Sequence, residues 1–220
     1  MDQTGRRRKV TIEIGADDLL VVVDMQHDFL PGGSLAVPGG DEIVPLINQL
    51  GKRFTNVVFT QDWHPADHLS FASQHPGKAP FDTVELAYGT QVLWPDHCVW
   101  ATHGAQLSVD IDIPHGQLVL RKGFRREIDS YSAFQEADRQ TLTGLAGYLN
   151  EREVGRLYVV GLATDFCVAW TAIDGAAAGY DVTVIEDATR AIDSNGSLKR
   201  AWTDMAEAGV ERIMSREILG

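Results

Sequence analysis

Six short, almost uninterrupted runs of valine, isoleucine and leucine constrain the fold of this chain more than any other feature. Each run has five or six residues and is bounded by turn-forming residues; they cover 19–24, 56–60, 117–121, 157–161, 182–186 and 210–214. Apolar runs without polar alternation are typical of parallel strands that are buried on both faces. Stretches of helix length lie between them, at residues 41–53, 138–153, 167–179 and 195–208. This alternation predicts an α/β domain built on a parallel sheet.

The length and charge of the chain limit the number of domains and the kinds of binding partner that it can have. A chain of 220 residues with 44% hydrophobic residues suits one compact domain. The formal net charge of −12 argues against a nucleic-acid or anionic-membrane partner. Residues 1–18 are interpreted as an N-terminal arm, with a basic cluster at residues 6–9, and residues 19–220 as the folded domain.

Two further observations bear on compartment. The chain has no apolar run near the roughly 20 residues that span a bilayer and no signal-peptide pattern. Its two cysteines do not form the pattern of a disulfide scaffold. We therefore expect a cytoplasmic protein with free thiols, and a homo-oligomer is compatible with the sequence.

Polar residues follow four of the predicted strands. Asp24 ends the first, Asp62 and His64 follow the second, Lys122 follows the third, and Cys167 follows the fourth. Open parallel sheets bind their ligands beyond the carboxyl ends of their strands. We expect these side chains to converge at one edge of the sheet.

Cys167, Asp24 and Lys122 form a coherent nucleophile set. A thiol in the first turn of a helix feels free backbone N–H groups, which favour the thiolate. A partly desolvated Asp24 is a usable base, and the ammonium group of Lys122 stabilises negative charge. Each residue also has a plain structural interpretation: a small apolar side chain for Cys167, a turn residue for Asp24 and a surface charge for Lys122.

The run TQDWHPADHLSF favours a metal site. Asp62 and His64 are two residues apart, so in an extended backbone both project to the same side. A carboxylate with an imidazole suits zinc, iron or manganese. Cys98 is either a further ligand or a buried thiol. The candidates for the remaining ligand are His68, His75, His97 and His103.

Several motifs together resemble those of a known enzyme family. They are VVDMQHDFLPGGSL, TQDWHPADH followed by SFAS, LWPDHCV, VLRKG, YSAF and VVGLATDFCV. The chain resembles, over about residues 19–194, the nicotinamidase/pyrazinamidase group of the isochorismatase-like cysteine hydrolases. The resemblance implies a Rossmann-like, three-layer α/β fold: a mostly parallel sheet with helices on both faces.

The resemblance also implies roles for individual residues. It implies a catalytic triad of Asp24, Lys122 and Cys167, and an oxyanion hole formed by the amides of Ala163 and Cys167 after a cis bond between residues 162 and 163. It implies one divalent metal ion, with zinc expected and iron or manganese as alternatives. The implied metal ligands are Asp62, His64 and His97, with His68 as an occasional extra ligand. The residues implied to line the ring pocket are Phe29, Trp94 and Tyr131. Phe166 stands where some relatives carry histidine, so contacts there can differ.

The activity implied by the resemblance is hydrolysis of nicotinamide to nicotinate and ammonia in NAD salvage, with pyrazinamide as a second substrate. Three alternatives stay open. In one, the metal activates a water molecule and Cys167 only packs. In another, the chain is a metal-free amidohydrolase of a carbamoyl or ureido compound. In the third, it is a non-catalytic domain that binds nicotinamide.

Overall fold

The computed structural model describes residues 11–220 and contains the predicted parallel sheet. Six strands lie in the order β5-β2-β1-β6-β7-β8, every neighbouring pair is parallel, and a separate antiparallel hairpin pairs β3 with β4. The strands are β1 Asp18–Val23, β2 Asn56–Asp62, β3 Thr83–Leu86, β4 Gly89–Val92, β5 Leu118–Lys122, β6 Arg156–Leu162, β7 Asp181–Arg190 and β8 Glu211–Ile213. All six apolar runs correspond to strands of the sheet, so the predicted fold class is confirmed.

Helices cover both faces of the sheet. The helices are α1 Val44–Gly51, α2 Leu145–Glu151, α3 Ala169–Ala177, α4 Ser197–Glu207 and α5 Arg216–Leu219. Strand β1 divides its side chains between two cores, with Leu20 in the core that contains α1 and Leu19 in the core that contains α2, α3 and α4. Burial on both faces explains why the strand sequence does not alternate between apolar and polar residues.

The helix predicted at residues 138–153 begins later, at Leu145. The carboxylate of Asp138 accepts hydrogen bonds from the amides of Gln140 and Thr141, which makes a turn instead of a first helical turn. Gly144, at a φ of 96°, then precedes the helix. Local side-chain hydrogen bonding therefore shortens this helix at its start.

The long weakly periodic segment at residues 63–113 contains the β3–β4 hairpin, which the sequence analysis did not predict. Its strands have only four residues each and are mostly part-exposed. Isolated bridges between His64 and Val99, and between Phe71 and Trp94, connect distant parts of the segment. The segment is therefore folded and lies over the carboxyl ends of the strands.

The predicted arm is described only in part. The basic cluster at residues 6–9 lies outside the described residues. Ile12 and Ile14 pack against the core, and the Ile12 amide donates to the carbonyl oxygen of Glu217 at 2.6 Å. Within residues 11–220, no helix is both long and apolar enough to cross a membrane.

Candidate active site

The carboxyl ends of β1, β5 and β6 bring Asp24, Lys122 and Cys167 together. Lys122 Nζ lies 2.8 Å from Asp24 Oδ2 and 3.4 Å from Cys167 Sγ, and it donates to the carbonyl oxygen of Ser130 at 3.0 Å. Asp24 and Lys122 are fully buried, and Cys167 is buried. The predicted convergence is what the structure shows. Strand alternation sends the neighbouring Arg121 outward, where it lies 3.8 Å over the ring of Trp63.

The two carboxylate oxygens of Asp24 differ in their hydrogen bonding. Its Oδ1 accepts a hydrogen bond from Thr60 Oγ1 at 2.6 Å. Its Oδ2 contacts Lys122 outside hydrogen-bond geometry and has no hydrogen-bond partner among the described residues. An oxygen of Asp24 and the sulfur of Cys167 lie within 4.8 Å of each other. Oδ2 can therefore accept a proton from the thiol.

Burial controls the protonation of the nucleophile. Burial raises the pKa of the Cys167 thiol well above its ordinary value; Lys122 lowers that pKa, while Asp24 and Asp62 raise it further. The pKa thus moves in the opposite direction to that expected from the helix start alone, because desolvation outweighs the dipole. Burial also raises the pKa of Asp24, against the lowering effect of Lys122. The resting thiol is protonated and requires a neighbouring base.

Asp62, His64 and His97 form a second cluster that could hold a metal ion. One ligand atom from each lies within 4.8 Å of the others, and all three residues are buried. The Nε2 atoms of His64 and His97 lie 3.7 and 3.9 Å from Asp62 Oδ2. Two nitrogens and one oxygen at these spacings fit a three-ligand zinc site with open positions.

The outer nitrogens of both imidazoles are already engaged. His64 Nδ1 lies 2.7 Å from the carbonyl oxygen of Gly123, and His97 Nδ1 lies 2.8 Å from that of Pro95. Such bonds hold Nδ1 protonated and leave Nε2 free as a ligand, as is usual for metal-binding histidines. A side chain at Gly123 would approach His64 Cε1 to 2.4 Å, so glycine is required there.

Electrostatics link the two clusters through Asp62. Burial alone would raise the pKa of Asp62, but Lys122 and His64 outweigh it and hold that pKa below its ordinary range. Burial and the neighbouring His64 lower the pKa of His97 to about 4, which keeps its imidazole neutral. Lys122 therefore lies between the base, the nucleophile and one of the candidate metal ligands.

The other candidate ligands lie apart from this cluster. His68 packs on His64 with ring centroids 4.4 Å apart, and it groups with His64 and Asp129 instead of with Asp62 and His97. His75 Nε2 bonds the carbonyl oxygen of Leu69, and His103 stacks on His27. Cys98 is a buried free thiol. Of the four candidate histidines, His97 is the one that the structure places with Asp62 and His64.

An aromatic pocket adjoins the sulfur. Phe29, Trp94 and Tyr131 line it, together with Ala163 and Cys167, and the bond between Leu162 and Ala163 is cis. The oxyanion role of these two amides stays a prediction. The further lining residues are Leu35, Asp62, His97, Asp129, Phe166 and Ile192. This aromatic lining, beside both clusters, suits stacking against a planar ring.

Three residues that support the site were not singled out from the sequence. Gln26 is fully buried, and its side-chain amide bonds the backbone N–H and carbonyl of Asp62, both at 2.8 Å. Gln91, on the unpredicted strand β4, donates to Asp129 Oδ2 at 2.8 Å and to the Tyr131 hydroxyl at 3.1 Å. Ile192 follows β7, and the rule that ligands bind beyond the carboxyl ends of parallel strands could have indicated it. For Gln91 no sequence signal was available, because its strand was not predicted.

Comparisons with known proteins identify the family of this chain. A sequence profile of the isochorismatase domain matches residues 18–217. The chain is 62% identical to a nicotinamidase of Acinetobacter baylyi over 200 residues, which cover 91% of this chain and 94% of the relative.

The chain is also similar to solved structures of nicotinamidases and pyrazinamidases. A nicotinamidase/pyrazinamidase of Acinetobacter baumannii superposes with a TM-score of 0.91 at 58% identity, covering 92% of this chain and 98% of the other. A pyrazinamidase of Pyrococcus horikoshii, solved in complex with zinc, has a TM-score of 0.73 at 33% identity, covering 90% and 99%.

Proposed function

The chain belongs to the isochorismatase family, and we propose that it is an amide hydrolase that converts nicotinamide to nicotinate and ammonia. The observation that carries this proposal is the contact of Lys122 with both Asp24 and Cys167 at the floor of an aromatic pocket. The nicotinamidases and pyrazinamidases to which the chain is similar support the same activity. Pyrazinamide, an amide on a similar ring, is proposed as a second substrate.

The reaction begins with formation of an acyl-enzyme. Asp24 Oδ2 takes the proton of the Cys167 thiol, and Sγ attacks the carboxamide carbon. The negative charge that develops on the amide oxygen faces the Ala163 and Cys167 amides, while the Lys122 ammonium stabilises the charge on sulfur. Asp24 then returns its proton to the nitrogen, the C–N bond breaks and ammonia leaves. A thioester on Cys167 remains.

Hydrolysis of the thioester regenerates the enzyme. Asp24 removes a proton from a water molecule, whose oxygen attacks the thioester carbonyl. The C–S bond breaks, the sulfur recovers a proton from Asp24, and nicotinic acid leaves and gives its remaining proton to solvent as nicotinate. One water molecule is consumed for each ammonia released, and Asp24 ends in its starting state.

Asp62, His64 and His97 fit a divalent ion, and we propose zinc, as in the zinc-bound pyrazinamidase. When bound, the ion supplies an electrophilic anchor for the pyridine nitrogen. Phe29, Trp94 and the ring edge of Tyr131 orient the substrate, and such orientation is worth several kcal/mol of the barrier. This donor set beside the pocket favours nicotinamide over the metal-free carbamoyl alternative.

Ammonia release from nicotinamide by the wild-type protein and by Cys167→Ala tests the proposal. We expect loss of turnover in Cys167→Ala because no other group at the site can form the thioester. Cys98→Ala is the matched control, since Cys98 is also a buried free thiol but does not line the pocket.

The alternatives give different results. If a water molecule activated by the metal were the attacker, Cys167→Ala would keep most of its activity. A non-catalytic binding domain would bind nicotinamide without releasing ammonia, even as the wild-type protein. Mass spectrometry of a quenched reaction provides a second measurement, because only the thioester route adds the acyl group to Cys167.

A further inference from the structure

Ile192 forms part of the wall of the ring pocket. The pocket is narrow, with a volume of about 20 Å³. That volume is close to the space of one water molecule, so a small displacement of any wall residue changes it by a large fraction. Ile192 belongs to the connection between β7 and α4, not to a strand or helix.

Open space lies behind this connection. A groove of about 340 Å³ runs along its outer side and is lined by Ser194, Asn195 and Ser197 of the same segment. Phe166 lines both the groove and the ring pocket. We call residues 192–197 the partition, because Ile192 lines the ring pocket whereas Ser194, Asn195 and Ser197 line the groove. Ile192 itself packs against the core that contains α1, whereas the residues that follow it border the open groove.

Hydrogen bonds to Asp165 hold the partition. The carboxylate of Asp165 accepts from the amides of Ile192 at 3.1 Å and Asp193 at 2.8 Å, and from Ser197 Oγ at 2.5 Å. Asp165 is itself buried, with 6% of its surface exposed. It lies two residues before Cys167, in the same helical turn. One carboxylate thus connects the turn of the nucleophile to the pocket wall.

The backbone of the partition requires such an anchor. Asp193 and Asn195 have φ values of 53° and 52°, in the left-handed region that residues other than glycine seldom occupy. Conformations of this kind persist only where surrounding contacts impose them. The three hydrogen bonds to Asp165 are contacts of that kind, because they involve residues on both sides of the left-handed pair.

We propose that Asp165 is a positioning residue that holds Ile192 against the ring pocket and so determines the size of the ring that the site accepts. The inference rests on the proposed amide hydrolysis. It makes Ile192 a specificity-determining residue that touches the substrate ring, whereas Asp165 acts through it. Substituted pyridine carboxamides are the substrates that this wall excludes.

Steady-state kinetics with nicotinamide and its 5-methyl and 6-methyl derivatives test the proposal. Ile192→Ala removes the wall side chain, and we expect the relative kcat/KM for at least one methyl derivative to rise by about tenfold, the usual effect of one methyl group in an apolar pocket. Asp165→Asn leaves fewer acceptors for three donors. We expect the same change in selectivity, a higher KM for nicotinamide and a kcat within about threefold of the wild type.

Two more variants complete the test. Ser197→Ala removes one of the three bonds and should give a smaller change in the same direction, which keeps the test open if Asp165→Asn does not fold. Asp204→Asn is the matched control: Asp204 lines the same groove, but its side chain makes no hydrogen bond among the described residues. We expect Asp204→Asn to behave as the wild type.

The possible results separate this inference from the proposed function. Wild-type selectivity in folded Asp165→Asn, or in Ser197→Ala where Asp165→Asn is insoluble, would overturn the positioning role. Wild-type selectivity in Ile192→Ala would overturn the role of the wall. A wild-type protein that releases no ammonia from any of these amides would refute the proposed hydrolysis, and the inference with it.

Discussion

Replacement of Lys122 by methionine is the sharpest perturbation that the structure offers. The ammonium group is fully buried between Asp24 and Asp62, and it also contacts Cys167 Sγ. With both carboxylates ionised, the three charges sum to −1. Methionine has a similar length but no charge, so the sum becomes −2 in a site that is closed to water. Breaking a buried ion pair in this way costs about 3–5 kcal/mol of unfolding free energy.

The cost depends on pH in a direction that can be stated in advance. Without the ammonium group, burial and mutual repulsion raise the pKa values of Asp24 and Asp62 in the folded protein. A carboxyl group with a raised pKa in the folded state destabilises the protein above its ordinary pKa, and the penalty falls as the pH falls toward that value. The difference between the wild type and Lys122→Met should therefore be largest near neutral pH and smaller at pH 5.

Urea unfolding of four proteins measures the effect: the wild type, Lys122→Met, Asp24→Asn and the double variant. Each is treated with a chelator so that differences in metal occupancy do not enter. Asp24→Asn removes one of the unpaired charges, so the double variant should recover part of the stability lost in Lys122→Met, with a coupling of about 0.5–3 kcal/mol. Ammonia release should fall by about 10²–10³ in Lys122→Met, as for loss of one electrostatic stabiliser.

Two outcomes would contradict this role of the Lys122 charge. One is a Lys122→Met protein as stable as the wild type at neutral pH. The other is a double variant no more stable than Lys122→Met, which would mean that the charge of Asp24 is not what makes the single change costly.

Two other predictions concern a buried acid and the metal. Burial raises the pKa of Glu136 to about 7 from an ordinary value of 4.5, against the lowering effect of Arg125. The folded state thus binds the proton more tightly, and wild-type stability should fall as the pH rises from about 4.5 to 7. In Glu136→Gln this fall in stability should be smaller. Urea unfolding at pH 5 and pH 8 measures it, and an equal change in unfolding free energy in the wild type and in Glu136→Gln would contradict the prediction. In His97→Ala, we expect the affinity for zinc to fall by about 10-fold or more in a competition titration. His75 lies outside the cluster, so His75→Ala should bind zinc as tightly as the wild type. Equal zinc affinities of the two variants would exclude His97 as a ligand.

The positions of the strand ends could be predicted because an apolar run and the polar residues that follow it are adjacent in the sequence. A buried parallel strand needs an apolar run, and the first polar residue after it marks the edge where ligands bind. Asp24, Lys122 and Cys167 could therefore be assigned to one edge before any coordinates were known. Arg121 is also polar and precedes Lys122, and the register of β5 buries Lys122 and exposes Arg121.

The direction of the thiol pKa was not predictable in the same way. A helix start is visible in the sequence, but desolvation depends on how many groups from distant strands enclose the sulfur. The choice of His97 among four histidines has a similar cause, because only the folded 63–113 segment determines which imidazole approaches Asp62.

The α/β architecture, the edge of the sheet that carries the site and the chemical types gathered there could be predicted from the sequence, since they follow from local patterning and strand direction. The hairpin that carries Gln91, the raised pKa of Cys167 and the position of Ile192 became visible only in the folded chain. All three depend on hydrogen bonds and burial between segments far apart in the chain, as when Asp165 holds residues 27 to 32 positions away.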